Sequence, residues 1–171
     1  MALLSVIRRW HFRDHLPIRE IARRTGLSRN TIRKYENAPP YAYFIPQEQR
    51  DPVAPVELLR RLAFNGIRVW QLTMDITFDR INYPRGTWVI PMNQEFAELA
   101  RQVLDVQTYP DLREGPEGPP EQPYDAAGWT LPYQMEVRVI AAASPLTAEV
   151  WQAMRPVQGT TADWAAGRPW T

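Results

Sequence analysis

The stretch Leu16 to Tyr35, LPIREIARRTGLSRNTIRKY, restricts the fold of this chain more than any other. Pro17 suits the first turn of a helix, where its missing N–H is not needed. Ile18, Ile21 and Ala22 then recur on one helical face. Gly26 closes that helix, because the residue just past a helix end often takes positive φ. Leu27 is an apolar plug for the angle between two helices. Ser28 is a good N-cap for a second helix that carries Thr31, Ile32 and Tyr35 inward. Ala22 and Gly26 fall where the helices cross, and their small size permits close approach. Arg29, Asn30, Arg33 and Lys34 are left facing outward. The pattern predicts a helix-turn-helix with a basic second helix.

An ordinary helical hairpin with a solvated basic face would share some of these features. The combination of small-residue crossing, Gly turn, N-cap and outward Arg and Asn on one helix favours double-stranded DNA as partner. Arg can pair with guanine O6/N7 and Asn with adenine N6/N7, the chemistry a major groove presents. The DNA-binding residues expected on this basis are Ser28, Arg29, Asn30, Thr31, Arg33 and Lys34, with Ser28 and Thr31 near phosphates.

The run LLSVIRRWHFRDHLPIREIARRTGLSRNTIRKY resembles the N-terminal helix-turn-helix of insertion-sequence transposases of the IstA kind, over about residues 3–35. The resemblance implies a module that helps recognise the ends of the element. In that family the catalytic part is a ribonuclease-H-like domain with three metal-binding carboxylates, far downstream. No stretch of these 171 residues matches such a core, so the reading is of DNA binding without transposase catalysis.

Net charge of +1 conceals an asymmetry. Residues 1–50 hold ten Arg and Lys against four acids, whereas residues 51–171 hold ten against fifteen. A basic head on an acidic body points to nucleic-acid contact by the head alone. Cys is absent, which excludes disulfides, thiolate metal sites and Cys nucleophiles. Arg8, Arg9, His11, Arg13 and Asp14 interrupt the apolar residues near the N-terminus, so no signal-peptide core is present. No uncharged run is long enough to span a bilayer, and a cytoplasmic location is expected. A homo-oligomer is compatible with the sequence but not indicated by it.

The expected class is α+β: a small three-helix helix-turn-helix module joined by a Pro-rich connector to an α/β fragment. Leu3 to Asp14 reads as the first helix, with Leu3, Val6, Ile7 and Trp10 on one face. His11 and His15 are four apart, a spacing that can hold a metal. No carboxylate or Cys completes a site, and no metal or other cofactor is assigned. The module is expected to end at residue 38. Pro39, Pro40, Pro46, Pro52 and Pro55 make residues 39–55 an extended connector. The body then spans 56–154, with a helix over Val56–Asn65 and a strand over Ile67–Leu72. Further strands are expected at Ile76–Phe78 and Thr87–Ile90, around a turn from Asn82 to Gly86. Asn93 should cap a helix running to about Leu104. Beyond a Pro-rich loop over 105–125, a helical turn is expected within Tyr124–Met135, a strand over Glu136–Ile140 and a helix over Leu146–Met154. Residues 155–171 lack periodicity and are expected to be a disordered tail.

The phrases YAYFIPQEQRDP, VELLRRLAFNGIRVWQLT, YPRGTWVIPMNQEF and QTYPDLREGPEGPPEQPYDAAGWTLPYQMEV resemble the region that follows the catalytic domain in large bacterial zinc-carboxypeptidase-like proteins, over about 41–140. That resemblance implies an α/β portion without the peptidase chemistry. Indeed residues 36–171 contain no His, so a His-bound zinc site cannot form there. Asp75, Asp79, Asp111 and Asp125 could supply a carboxylate pair, but Asp in turns more often caps local backbone. Phosphate-loop and dinucleotide patterns are both missing. No enzyme is therefore expected. The alternative to a DNA-binding protein is a non-catalytic fragment of a carboxypeptidase-like protein, a fusion left by an insertion element with no autonomous activity.

Overall fold

Tyr43 and Ile45 face one hydrophobic core while Ala42 and Phe44 face another, so the strand β1 (Ala42–Ile45) is buried on both sides. The structure, a computed structural model, describes residues 6–7, 9–36, 39–106 and 130–157. Two helices, α1 (Ile18–Thr25) and α2 (Arg29–Glu36), precede β1. After β1 come α3 (Ala54–Phe64), β2 (Trp70–Leu72), β3 (Ile76–Phe78), β4 (Ile81–Tyr83), β5 (Trp88–Pro91) and α4 (Ala97–Leu104). The remaining elements are α5 (Leu131–Gln134), β6 (Ile140–Ala141), α6 (Ala148–Gln152) and β7 (Met154–Pro156). Helices and antiparallel sheets together make the chain α+β.

Five strands form one sheet in the order β6-β1-β5-β2-β7, every neighbouring pair antiparallel. β1 and β5 are paired over Ala42↔Pro91 to Ile45↔Trp88, and every residue of both is buried. Strands covered on both faces need no polar alternation, which explains the continuous apolar runs AYFI and WVIP. On one face α3 and α4 pack Leu58, Leu59, Leu62, Ala97 and Ala100 against Tyr43, Trp88 and Ile90. On the other, Phe44 stacks on Tyr83 with centroids 4.2 Å apart and meets Phe78 at 5.7 Å. Val150 and Ala153 close that second core.

The hairpin partner of β3 is β4, with Phe78 opposite Ile81. Asp79 and Arg80 form its two-residue turn, both at positive φ (49° and 65°), as a type I′ turn requires. The expected pairing of strands around residues 82–86 is thus replaced by one hairpin earlier, and β5 pairs instead with β1 and β2. Gly86 has φ 90°, and a Cβ there would lie 2.9 Å from the Gln47 side chain.

Several boundaries differ from expectation, among them the start of α4, which begins at Ala97 without a side-chain cap from Asn93, and β6, which is confined to Ile140–Ala141. The stretch 39–55 is not only a connector, because Ala42–Ile45 belong to the sheet and Ala54 begins α3. Its prolines flank the strand instead of lying within it. At the other end, Arg155 and Pro156 extend β7 alongside β2, so the expected tail begins later. The tail beyond Val157 lies outside the described residues, as do Asp111 and Asp125. Finally, the first helix of the expected three is not a regular α-helix among the described residues: Val6 and Ile7 are α-helical, but Arg9–Arg13 winds as a π-helix. The Leu16 amide closes this wide turn on the Trp10 carbonyl at 2.8 Å, and His15, at φ 50°, redirects the chain into α1.

Candidate nucleic-acid interface

Local hydrogen bonding sets both ends of the turn between α1 and α2. The Pro17 carbonyl accepts from the Glu20 and Ile21 amides, starting α1 one residue after the proline. Gly26 ends it at φ 72°, its N–H donating to the Ala22 carbonyl. The Thr25 hydroxyl donates to the Ile21 carbonyl at 2.8 Å and accepts from the Leu27 amide at 3.3 Å. Ser28 Oγ then accepts the Thr31 amide at 3.0 Å and shares a 2.8 Å hydrogen bond with Thr31 Oγ1. This satisfies one of the amides that a helix N-terminus leaves open.

Ile7, Ile21 and Ile32 are buried together, with Trp10, Leu16, Ile18, Ala22 and Leu27 partly buried around them. Burying Ile32 turns the opposite face of α2 to solvent. Ser28, Arg29, Asn30 and Arg33 are exposed, while Thr31 is half-buried. Lys34 lies within α2, and its side chain is outside the described residues.

The arginines of the two helices differ electrostatically. On α1, Glu20 accepts two hydrogen bonds from Arg23, at 2.7 and 2.9 Å, and one from Arg24 at 2.8 Å. Arg23 and then Arg24 hold the Glu20 carboxyl down to about 2. Arg24 also lies 5.4 Å from the centroid of the Trp10 ring. Two of the three α1 arginines are therefore occupied within the protein. On α2, neither Arg29 nor Arg33 has a carboxylate partner among the described residues. Their charge is available to an external anion.

Glu20's compensation was legible as i,i+3 and i,i+4 spacing. A second feature was not. Arg13 Nη1 donates to Glu95 Oε1 at 3.1 Å, tying the N-terminal helices to the body across 82 positions of sequence. Arg101 Nη2 adds a 3.0 Å bond to the Pro39 carbonyl.

Among its described residues the body offers no comparable site. Asp75 Oδ1 accepts the Arg85 amide at 2.7 Å. Asp79 Oδ2 accepts the Ala143 and Ser144 amides, and hydrogen bonding to Ser144 holds its carboxyl below the usual range. Both carboxylates thus serve as backbone anchors. No catalytic core is evident, and no group of three or more His, Cys, Asp or Glu able to hold a metal occurs among the described residues. A cavity of about 310 Å³ between α3, β2 and β7 is lined mainly by apolar groups such as Ala63, Ile67, Val69 and Val157. Among the described residues no helix is long and apolar enough to cross a membrane.

Sequence comparison bears on the N-terminal segment. Over 38 residues, 22% of the chain, it is 87% identical to a transposase of Aminobacter aminovorans, of which the match spans 8%. Over 35 residues, 20% of the chain, it is 77% identical to transposases for the insertion sequences IS1326/IS1353 of Pseudomonas aeruginosa and Shigella flexneri, covering 7% of each. No protein-family profile and no solved structure matches the chain. The resemblance of residues 41–140 to carboxypeptidase-like proteins finds no support in these comparisons. The chain is similar to insertion-sequence transposases over about a fifth of its length, and spans less than a tenth of theirs.

Proposed function

We propose that this chain binds double-stranded DNA through a helix-turn-helix in which α2 is the recognition helix, without the catalytic core of a transposase. The observation that carries the reading is the contrast between paired and unpaired arginines. Glu20 pairs with both Arg23 and Arg24, whereas Arg29, Asn30 and Arg33 stand exposed on α2 with no carboxylate partner among the described residues. The high identity of the N-terminal segment to transposases supports the same partner. Arg29, Asn30 and Arg33 are assigned to base edges, Lys34 to the phosphate backbone, and Ser28 and Thr31 to the nearest phosphates at the start of α2. The domain division that fits this role places the DNA-binding module at residues 1–38. The body begins immediately afterwards, because β1 belongs to it. A DNA ligand also fits a cytoplasmic location.

A single small module makes few phosphate contacts, and the body carries five more acids than bases. Affinity for arbitrary duplex is therefore expected near the non-specific range of ~10⁻⁴–10⁻⁶ M at physiological salt. Titration of the full chain with duplexes from insertion-element ends and with scrambled duplexes tests the reading. Ala at Arg29, Asn30 or Arg33 should each cost about 1–3 kcal/mol on a preferred sequence. Lys34→Ala should weaken all sequences alike and make the salt dependence shallower. Equal affinity of wild type and the triple variant would refute the assignment.

A further inference from the structure

Arg13 differs from the other exposed cations of the N-terminal module in being held by the acidic body. Its Nη1 lies 3.1 Å from Glu95 Oε1, and its Nε lies 3.6 Å from Asp14 Oδ1. Two carboxylates therefore surround one guanidinium. The Arg13 side chain is nonetheless 57% exposed, whereas that of Glu95 is only 19% exposed. The carboxylate is thus the more enclosed partner of the two.

The backbone that carries Glu95 is anchored by the neighbouring residue. Gln94 is buried, and its side chain spans three backbone groups. Its Oε1 accepts the Arg68 amide at 2.7 Å, and its Nε2 donates to the carbonyls of Pro91 and Arg68 at 2.6 and 3.1 Å. Glu95 follows directly, before α4, an acidic group facing an exposed arginine of the module. Arg101 of α4 holds the Pro39 carbonyl, so the chain is also fastened to that helix just after the module ends.

We propose that Glu95 masks Arg13 from DNA, so that the body competes within the chain for a cation that would otherwise contact a phosphate. The proposal rests on DNA binding by the module. While the pair with Glu95 holds, Arg13 makes no phosphate contact; without that carboxylate it takes a phosphate oxygen. Binding is therefore weaker than the module's charge would provide.

The test uses the full chain and one duplex, comparing wild type, Glu95→Gln, Arg13→Ala, the double variant and the α2 triple variant across a salt series. Glu95→Gln should bind about two- to fivefold tighter, the range an exposed pair supplies. The slope of log K against log salt should steepen by about 0.9, for one added phosphate contact. Arg13→Ala alone should change affinity little, and in the Glu95→Gln background it should erase both gains. Glu95→Lys should exceed Glu95→Gln in affinity. Unchanged binding by Glu95→Gln overturns the proposal, as does a gain that persists without Arg13, which would reflect only the body's diffuse charge. An α2 triple variant that binds like wild type would instead overturn the recognition-helix assignment. The two failures are therefore distinguishable.

Discussion

The Tyr43 hydroxyl donates to Asp105 Oδ1 at 2.6 Å, joining β1 to the residue that ends α4. The Asp105 carbonyl also accepts from the Thr130 hydroxyl at 3.3 Å, so one residue ties together three separated parts of the chain. Tyr43→Phe removes the donor and leaves the carboxylate oxygen to find another. The expected cost is about 1.5–3 kcal/mol, the range for hydrogen bonds to charged groups. Urea denaturation should show a lower midpoint with an unchanged slope; an unchanged midpoint would show that the bond contributes nothing net.

The same phenol predicts an alkaline limit to stability. Burial first, and then the Asp105 carboxylate, push Tyr43 well above the ordinary phenol value. Burial, with Asp79 nearby, pushes Tyr83 up to about 12. In the unfolded chain both ionise near ~10. A group whose folded pKa is raised contributes stability that is complete below the unfolded value and is lost as pH rises toward the folded one. The unfolding free energy should therefore hold level up to about pH 10 and fall above it. Tyr43→Phe should make that fall shallower, and identical alkaline profiles for variant and wild type would contradict the account.

At the acid end the relevant groups are Glu20 and Glu57. Arg23 and Arg24 hold Glu20 down to about 2, and Arg60 and Arg61 do the same for Glu57. For a depressed carboxyl the sign is reversed. Its contribution is present above the unfolded value and is lost as pH falls from there toward about 2. Both triads lie on solvent-exposed helix faces, so the effect is screened and should shrink as salt is added. Helical circular dichroism followed from pH 5 down to pH 2 should decline, and Glu20→Gln with Glu57→Gln should flatten the decline. A double variant with the wild-type acid profile would assign the loss to other carboxylates.

The parts that local chemistry dictates were legible before the structure. Gly26 and Ser28 mark the turn between α1 and α2, and the structure finds positive φ at one and a capping hydroxyl at the other. The spacing of Leu58, Leu59 and Leu62 announces α3, and the Ile76–Phe78 strand appears where expected. Long-range pairing was not legible. β1 hides between prolines, and a strand buried on both faces lacks the alternation that identifies a half-buried one. The β3–β4 turn uses Asp79-Arg80, which lacks the Gly that usually signals a type I′ hairpin. At the candidate interface, outward Arg and Asn on α2 follow from periodicity alone. The Arg13–Glu95 pair depends on how the N-terminal helices meet the body, and no local pattern encodes that.

The last expectation concerns how far the N-terminal module stands by itself. Among its described residues only Ile7, Ile21 and Ile32 are buried outright, with Trp10, Leu16, Ile18, Ala22 and Leu27 partly covered. Chains below roughly 40 residues seldom bury enough surface to fold without metal, disulfide or partner. Cys is absent from the chain, so no disulfide can staple this core. The fastening of Arg13 to Glu95 disappears when the module is excised, as does the anchoring of the chain just beyond it by the Pro39–Arg101 bond. A peptide of residues 1–38 should therefore be only marginally folded and melt without a sharp transition. Ser28→Ala should deepen the loss, since removing an N-cap costs about 0.5–2 kcal/mol. In the full chain the same substitution should be better tolerated, because the body limits the module's freedom. Circular dichroism melts of peptide and full chain, each with and without Ser28, would decide it. A cooperatively melting peptide, as stable as the module within the full chain, would show that these helices need nothing from the body.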